Sequence, residues 1–132
     1  WQPVIPTFVD HWGLKAGSSL LDVGCAKGFM LHDLKQLIPG IKVRGVDISA
    51  YAIENAIESV MGDVQVADAR SLPFADRSFD VVVSINTIHN LDIDECRIAL
   101  REIERVSRGK SFVTVDAFRT DEEKERMFAW MG

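Results

Sequence analysis

The sequence has few of the features that mark proteins outside the ordinary globular class. It contains two cysteines, Cys25 and Cys96, which stand far apart and form no C-x-x-C pair. This argues against a disulfide framework or a zinc site and favours a reducing compartment. No apolar run approaches the roughly 20 residues that cross a bilayer, and the N-terminus lacks a charged lead followed by an apolar run. We therefore expect a cytoplasmic protein with no membrane partner.

An excess of positive charge is also missing. Fifteen Lys and Arg stand against 20 Asp and Glu, which gives a net charge of −5. This argues weakly against a surface built as a whole to bind nucleic acid, although a local basic patch is still compatible with it. Hydrophobic residues make up 47% and charged residues 27% of the chain, which excludes a disordered tail. At 132 residues we expect one domain over 1–132, partial at both ends because the chain starts at Trp1 and stops straight after an apolar group.

Short apolar runs alternate with segments of helical periodicity along the chain. The continuous valines of the fourth run are typical of a strand that helices cover on both faces. The predicted strands are Ser19–Gly24, Lys42–Asp47, Val64–Asp68, Phe79–Asn86 and Lys110–Phe118. Helices are predicted over 28–38, from a Ser49 cap through Val60, over 92–109 and from Thr120 to the end, with a short covering helix near the N-terminus.

Five strands separated by helices predict right-handed crossovers and a doubly wound parallel sheet, an α/β fold of three layers. In such sheets ligands bind outside the carboxyl ends of the strands, at the point where the strand order reverses. The candidate site therefore consists of the residues that end the strands: Asp22 to Gly28, Asp47, Asp68, Asn86 and Asp116.

The first strand ends in D-V-G-C-A-K-G, which places Gly24 and Gly28 around a tight turn into a helix. The free backbone N–H groups of that helix point at the predicted pocket, and small residues let a ligand approach the main chain. The small residues Gly24, Ala26 and Gly28 alternate, whereas the dinucleotide fingerprint G-x-G-x-x-G skips two positions. A glycine turn after a strand also occurs without any ligand, and that alternative stays open.

Acidic residues follow the second and third strands. Asp47 stands where a carboxylate can accept hydrogen bonds from both hydroxyls of a ribose lying across the sheet, a position that nicotinamide and adenosyl binders share. Asp68, followed by Ala69, could accept a hydrogen bond from the exocyclic amine of adenine. The alternatives are a cap on the helix turn at Ser49 for Asp47 and a solvated turn aspartate for Asp68.

Taken together, these motifs and the segment LPFADRSFDVVVSINTIHNL, Leu72 to Leu91, resemble the class I S-adenosylmethionine-dependent methyltransferases, especially the small-molecule type. The resemblance covers Ser19 to Phe118 and implies a Rossmann-like sheet with S-adenosylmethionine as cofactor. It implies that the methionine part of the cofactor is held by Asp22, Gly24, Cys25, Ala26 and Gly28. It further implies that the ribose and adenine are met by Asp47, Ile48, Asp68 and Ala69, and that Asn86 faces the cofactor and the substrate.

In that family the protein mainly aligns the nucleophile, the methyl group and the sulfur, an effect that can lower a barrier by about 7 to 11 kcal/mol. No nucleophilic side chain is required, and Cys25 is interpreted as a small apolar turn residue. A general base helps only when the acceptor must lose a proton. His89 is the first candidate for that role, with loop support as its alternative, and Asp116 is the second. No metal is expected, because no His stands with a second ligand at metal spacing.

Four features near the turn and the chain end bear on this resemblance. Ala26 replaces the commoner central glycine, which we expect to be tolerated if the backbone there has an ordinary, negative φ; a positive φ would count against this alignment. Lys27 is expected to reach solvent, and Tyr51 either flanks the adenine or covers the core. The last two strands of the family, an antiparallel hairpin at the sheet edge, are expected to be absent.

The sequence thus predicts an S-adenosylmethionine-dependent methyltransferase that acts on a small molecule or metabolite and has no nucleic-acid partner. Two alternatives stay open. One is a nicotinamide-dependent oxidoreductase, which the alternating glycine turn disfavours, and the other is a methyltransferase-like domain that binds without turnover. The acceptor atom and the oligomeric state leave no signal in the sequence, because specificity resides in sites grafted onto the fold.

Overall fold

The computed structural model describes residues 13–85, 93–114 and 127–131. Their strands form one sheet in the order β3-β2-β1-β4-β5-β6. The strands are β1 (Ser19–Val23), β2 (Lys42–Asp47), β3 (Val64–Val66), β4 (Val81–Ile85), β5 (Lys110–Thr114) and β6 (Met127–Met131). The helices are α1 (Phe29–Leu37), α2 (Ala50–Glu54) and α3 (Ile93–Val106), and a 3₁₀ turn covers Glu58–Asp63. None of the helices in these ranges has the length and hydropathy of a bilayer span.

The first five strands run parallel, as the alternation of strands and helices predicts. β1 pairs with β2 on one side and with β4 on the other, so that Leu20 lies beside both Val43 and Val81. β3 extends the sheet beyond β2, and β5 extends it beyond β4. The strand order therefore reverses between β1 and β4, where such sheets bind ligands. The predicted doubly wound α/β fold is confirmed.

Each face of the sheet has its own apolar core, because successive residues of a strand point to opposite faces. Leu20 packs on the face that α1 covers, and Leu21 packs on the face that α3 covers. The first core also contains Met30, Leu31, Leu34, Val43, Val60, Val81 and Val83. The second also contains Val23, Val46, Phe79, Val82, Ala99, Ile103 and Val106. Packing on both faces fixes the carboxyl ends of the strands along one edge.

The last described segment is a strand, where the sequence predicts a helix that runs to the end. β6 pairs antiparallel with β5, with Lys110 beside Met131 and Thr114 beside Met127. A run of five apolar residues fits a strand or a buried helix, and periodicity does not separate the two. Pairing with the edge of β5 decides the outcome, because it satisfies backbone groups that a free edge leaves open. The helix prediction was wrong for these residues, and the sheet has one antiparallel strand at the edge where none is expected from the sequence.

The second helix begins as predicted but ends early. Its cap is Ser49, whose Oγ accepts a hydrogen bond from Ala52 N (3.1 Å), and the helix has five residues. The N–H of Ile57 donates to the carbonyl of Lys27 in the turn after β1 (2.9 Å), which diverts the chain into the 3₁₀ turn. Val60 is nevertheless fully buried. The apolar pattern was right, and the continuous helix through Val60 was wrong.

Gly45 lies in β2 against the core side chains of Cys25 and Leu31. A Cβ added to it would lie 2.7 Å from Cys25 Sγ and 2.8 Å from Leu31 Cδ1. We therefore expect Gly45→Ala to lower the free energy of unfolding by about 1–3 kcal/mol, the usual cost of overpacking a core. Gly62→Ala is the matched control, because no atom lies within 4 Å of its added methyl group. Urea unfolding measures both, and an unchanged stability of Gly45→Ala would contradict the packing described.

Candidate functional site

The side chain of Asp47 joins the turns that follow β1 and β2. Its Oδ2 accepts a hydrogen bond from Ala26 N (2.9 Å), and its Oδ1 accepts one from Ser49 N (2.8 Å). Its backbone carbonyl accepts another from Ala67 N just beyond β3 (3.0 Å). The carboxylate therefore does cap the helix turn at Ser49, the structural role that the sequence left open as an alternative to ligand binding. Because each carboxylate oxygen can accept two hydrogen bonds, both oxygens keep capacity for a ligand hydroxyl.

The turn after β1 is built from closely packed backbone. The N–H groups of Gly24 and Cys25 both donate to Val46 O (2.7 and 2.9 Å), and Gly28 N donates to Cys25 O (2.9 Å). Gly28 precedes α1 with a φ of 86°, and a Cβ there would lie 2.5 Å from Val60 Cγ2. Only glycine satisfies both conditions. The turn therefore brings the N-terminus of α1, with its unpaired backbone N–H groups, to the carboxyl edge of the sheet.

Ala26 has a left-handed backbone, with a φ of 53°, so the expectation of an ordinary φ was wrong, and this position taken by itself counts against the alignment of the turn. For a residue with a Cβ this conformation costs about 1–2 kcal/mol. The hydrogen bond from its N–H to the Asp47 carboxylate offsets part of that cost, since a charged acceptor strengthens the bond. The methyl group of Ala26 is exposed. The turn therefore keeps a geometry that suits glycine while carrying alanine.

Asp22 is a buried acid within β1. It lies between Gly45 of β2 and Val83 of β4 and is 6% exposed. Burial, and secondly the charge of Asp47, raise the pKa of Asp22 to about 7. A buried carboxyl group with a pKa near neutral pH is stabilised in its ionised form when a ligand brings a positive charge next to it.

Cys25 is unsuited to act as a nucleophile. Its side chain is buried, and burial together with the charges of Asp22 and Asp47 raises the pKa of the Cys25 thiol to about 12. The reactive form of a cysteine is the thiolate, which such a thiol does not reach at neutral pH. This agrees with the interpretation of Cys25 as a small apolar turn residue.

Asp68 lies in the turn after β3 and forms an ion pair with Arg70, whose Nη2 is 2.6 Å from Asp68 Oδ2. Arg70 also contacts the carboxylate of Glu95 in α3. The hydrogen bonds from Arg70 lower the pKa of Asp68. Ala69 packs, partly buried, against the second core. Arg70 gives no separate signal in the sequence, because a cation two residues after a turn aspartate is a common pattern.

The segment between β3 and β4 is held against α3 by Arg105. The Arg105 guanidinium donates to Phe74 O (2.8 Å) and to Leu72 O (2.9 Å). Glu102 pairs with Arg105 and accepts a hydrogen bond from Leu72 N (2.8 Å). These bonds fix the L-P-F segment to α3, and the turn that carries Asp68 precedes that segment directly.

Two large side chains beside Asp47 face solvent. Ile48 is 69% and Tyr51 is 68% exposed. Apolar surface beside a carboxylate suits a flat ring with polar substituents, which is the place that the resemblance gives to Ile48. The Lys27 ammonium lies 5.5 Å from the centre of the Tyr51 ring, at cation–π distance. Lys27 is half-buried, which is compatible with the expectation that its side chain reaches solvent.

Three predicted site residues, Asn86, His89 and Asp116, lie outside the described residues. Their roles stay predictions. In the part of the chain that the structure does describe, no group of three or more His, Cys, Asp and Glu side chains could hold a metal ion.

A cavity of about 680 Å³ opens near the amino ends of β1 and β2, at the opposite edge of the sheet. Its lining includes Ser19, Lys42, Arg44, Gln65, Phe74 and Phe79. We place the candidate site at the carboxyl edge instead, because Asp22, Asp47 and the N-terminus of α1 meet there.

Comparisons with known proteins give a clear family signal. The model of a family described as "Methyltransferase domain" matches residues 21–115. An O-methyltransferase, resE, of Aspergillus sclerotiorum is 33% identical over 107 residues, which are 76% of this chain and 39% of that protein. A tRNA (carboxymethyluridine(34)-5-O)-methyltransferase of Arabidopsis thaliana is 31% identical over 122 residues, 92% of this chain and 28% of that protein. The chain therefore spans well under half the length of these two relatives.

A solved structure of a protein from Pyrococcus horikoshii OT3 resembles this one with a TM-score of 0.74 and 28% identity. The similarity covers 85% of this chain and 51% of that one. The shared part agrees with the doubly wound sheet described above.

The burial of Asp22 predicts a characteristic pH dependence of stability. Because its folded pKa is raised above the unfolded value of 3.8, the native state holds the proton more tightly, and stability is lost as the pH rises through about 7. Asp22→Asn removes that loss. Relative to the unmutated protein, its free energy of unfolding should rise on the order of 4 kcal/mol between pH 4 and pH 8, as measured by urea unfolding.

Asp80→Asn is the matched control, because it removes the same charge from a residue whose pKa is lowered by folding, whereas that of Asp22 is raised. The N–H of Ser19 and the Arg108 guanidinium lower the pKa of Asp80. That carboxylate stabilises the fold above pH 4 and loses its effect as the pH falls below that value. Asp80→Asn should therefore cost stability at pH 8 and less near pH 3. If the free energies of unfolding of the two variants changed with pH in the same way, the described burial of Asp22 would be contradicted.

Proposed function

The chain belongs to the methyltransferase-domain family, in the S-adenosylmethionine-dependent class, and on that premise we propose that it binds S-adenosylmethionine at the carboxyl edge of its sheet. We further propose that the intact protein transfers the methyl group to a small molecule or metabolite. The observation that supports the cofactor site best is the carboxylate of Asp47, which binds the turn of Ala26 and keeps free lone pairs.

Each part of the edge suits a different part of the cofactor. The backbone of Gly24–Gly28 and the buried carboxyl of Asp22 suit the methionine end, whose ammonium and sulfonium are cationic. The oxygens of Asp47 suit the ribose hydroxyls, and the exposed Ile48 suits one face of the adenine. When bound, the cofactor supplies an electrophilic methyl group. The residues of this chain bind and orient it, which is the main demand of an in-line transfer.

A nicotinamide cofactor fits the same edge less well. Its pyrophosphate would lie at the turn between β1 and α1, close to the buried carboxyl group of Asp22. Like charges disfavour that placement, whereas a cationic ligand relieves the repulsion between Asp22 and Asp47. The electrostatics of the turn therefore favour the adenosyl cofactor over the dinucleotide.

The charges at this edge also support a small acceptor over a polyanion. Two cationic side chains near the site, Lys27 and Arg70, already have partners within the protein. Lys27 lies over the Tyr51 ring, and Arg70 forms ion pairs with carboxylates. RNA binding depends on cations that are available to phosphates. Because several relatives carry tRNA methyltransferase names, RNA is the alternative acceptor that the experiment below includes.

His89 and Asp116 are the proposed groups that accept a proton when the acceptor is a hydroxyl or an ammonium. A base of this kind typically adds about 10²–10⁴-fold in rate. Such a base adds to the effect of alignment and does not replace it, because the leaving group of a sulfonium methyl donor is a neutral thioether that needs no protonation.

Asp47→Asn keeps the size of the side chain but removes its charge. We expect the affinity for S-adenosylhomocysteine to fall by about 1.5–3 kcal/mol, the usual value of hydrogen bonds to a charged group. Titration calorimetry on the intact protein measures this. Asp63→Asn is the control, because that residue pairs with Lys35 near the amino end of β3 and its loss removes the same charge. Equal affinities of Asp47→Asn and the unmutated protein would show that Asp47 is structural only.

The acceptor class is tested with cofactor labelled on the methyl group. The intact protein is incubated with a metabolite extract and, separately, with total tRNA. We expect label in the small-molecule fraction and none in the precipitated RNA. Label in the RNA alone would refute the small-molecule proposal, and tight binding of NADH without binding of S-adenosylhomocysteine would refute the cofactor proposal as well.

A further inference from the structure

The Arg70 guanidinium lies between two carboxylates that come from different parts of the chain. Its Nε is 3.0 Å from Asp68 Oδ1 and 3.1 Å from Asp68 Oδ2, and its Nη2 is 2.6 Å from Oδ2. Its Nη1 contacts the carboxylate of Glu95, in the first turn of α3. Arg70 therefore connects the end of β3 to the start of a helix 25 residues further along the chain.

Glu95 fixes the side of the guanidinium that Asp68 does not use. A planar guanidinium that is bound at two edges keeps one orientation, which a single surface ion pair does not impose. The Asp68 side chain is only 31% exposed and that of Glu95 34%, so both partners are partly shielded from water. Arg105 holds the following L-P-F segment to the same helix. The turn of Asp68 is thus attached to α3 at two points, through the Arg70–Glu95 pair and through the bonds of Arg105 to the L-P-F segment.

The hydrogen bonds leave Asp68 with little acceptor capacity. A carboxylate has about four acceptor positions. Asp68 Oδ1 accepts from the N–H of Arg70 (2.9 Å) and from its Nε, and Oδ2 accepts from Nη2 while sharing Nε. About one position is therefore left, on Oδ2. Since an ionised carboxylate only accepts, that position takes a donor and rejects another acceptor.

We propose that Arg70, held by Glu95, is a specificity-determining positioning residue that directs the remaining lone pair of Asp68 toward the amino group of a 6-aminopurine. The inference rests on the proposed function, because it takes the adenine of the cofactor as the ligand. A 6-oxopurine places an acceptor where adenine has its amine, so the fixed carboxylate repels it. Arg70 also lowers the pKa of Asp68, which keeps that carboxylate an acceptor.

The test compares two ligands that differ at this position of the purine, S-adenosylhomocysteine and its 6-oxo analogue S-inosylhomocysteine. Their dissociation constants are measured by titration calorimetry on the intact protein and on Arg70→Gln. We expect the unmutated protein to prefer the adenosyl ligand, and Arg70→Gln to weaken adenosyl binding about tenfold with little change for the inosyl ligand. The preference for the amino group should therefore shrink by about the same factor.

Three further variants separate positioning from general damage. Arg70→Lys keeps the charge without the planar pair of donors and should restore part of the adenosyl affinity. Glu95→Gln should reduce the preference in the same direction as Arg70→Gln. Arg101→Gln is the control, because it removes one exposed cation from α3, the helix that carries Glu95. It should leave the ratio of the two dissociation constants unchanged.

The outcomes are distinguishable. An equal loss of both ligands in Arg70→Gln would make Arg70 a purely structural residue and overturn the inference, as would an unchanged ratio. If the unmutated protein binds the adenosyl ligand but Arg70→Gln behaves in either of these ways, the proposed cofactor stands and only this inference fails. If the unmutated protein binds neither ligand, the proposed cofactor fails and the inference fails with it.

Discussion

The carboxylate of Asp47 connects two segments that are far apart in the sequence, because it accepts hydrogen bonds from the N–H of Ala26 after β1 and from that of Ser49 after β2. The first bond stabilises the left-handed backbone of Ala26, and the second starts the turn into α2. The carbonyl of the same residue extends the connection to Ala67 beyond β3. One residue thus sets the relative positions of three strand ends, and a ligand at this edge meets a surface that is already organised.

Three acids at this edge are stabilised in three different ways. Asp22 is buried, and its charge is partly suppressed by the raised pKa. Asp47 keeps its place through backbone donors, and Asp68 is held by a guanidinium. These differences matter because three free carboxylates at one edge would repel one another and any anionic ligand. The arrangement suits a ligand with cationic and hydroxyl groups.

Much of the fold and the family were predictable, because both depend on short-range patterns. The bounds of β2 agree at both ends with the predicted strand, and Ser49 caps its helix as predicted. The matched family model confirms the resemblance, which was based on the order of motifs rather than on any single one. The acidic ends of the strands were visible for the same reason, since the position of a residue at the end of a strand can be inferred from the apolar run before it.

Other features depend on contacts between distant segments and leave no local pattern. α2 ends early because the N–H of Ile57 donates a hydrogen bond to the carbonyl of Lys27. Ala26 has a positive φ in a turn where its own N–H donates a hydrogen bond to the Asp47 carboxylate. Arg70 acquires its position from Glu95, which lies on another element. β6 required the edge of β5, because its apolar run alone fits two structures.

The carboxyl edge of the sheet, and not the cavity at its amino edge, is the proposed binding site of the adenosyl cofactor. Amide chemical shifts recorded by NMR during titration of the intact protein with S-adenosylhomocysteine test this directly. We expect the largest changes at Ala26, Gly28 and Ala69, with Lys42 and Gln65 unaffected. Changes concentrated at Lys42, Arg44 and Gln65, with Ala26 and Gly28 unmoved, would contradict it.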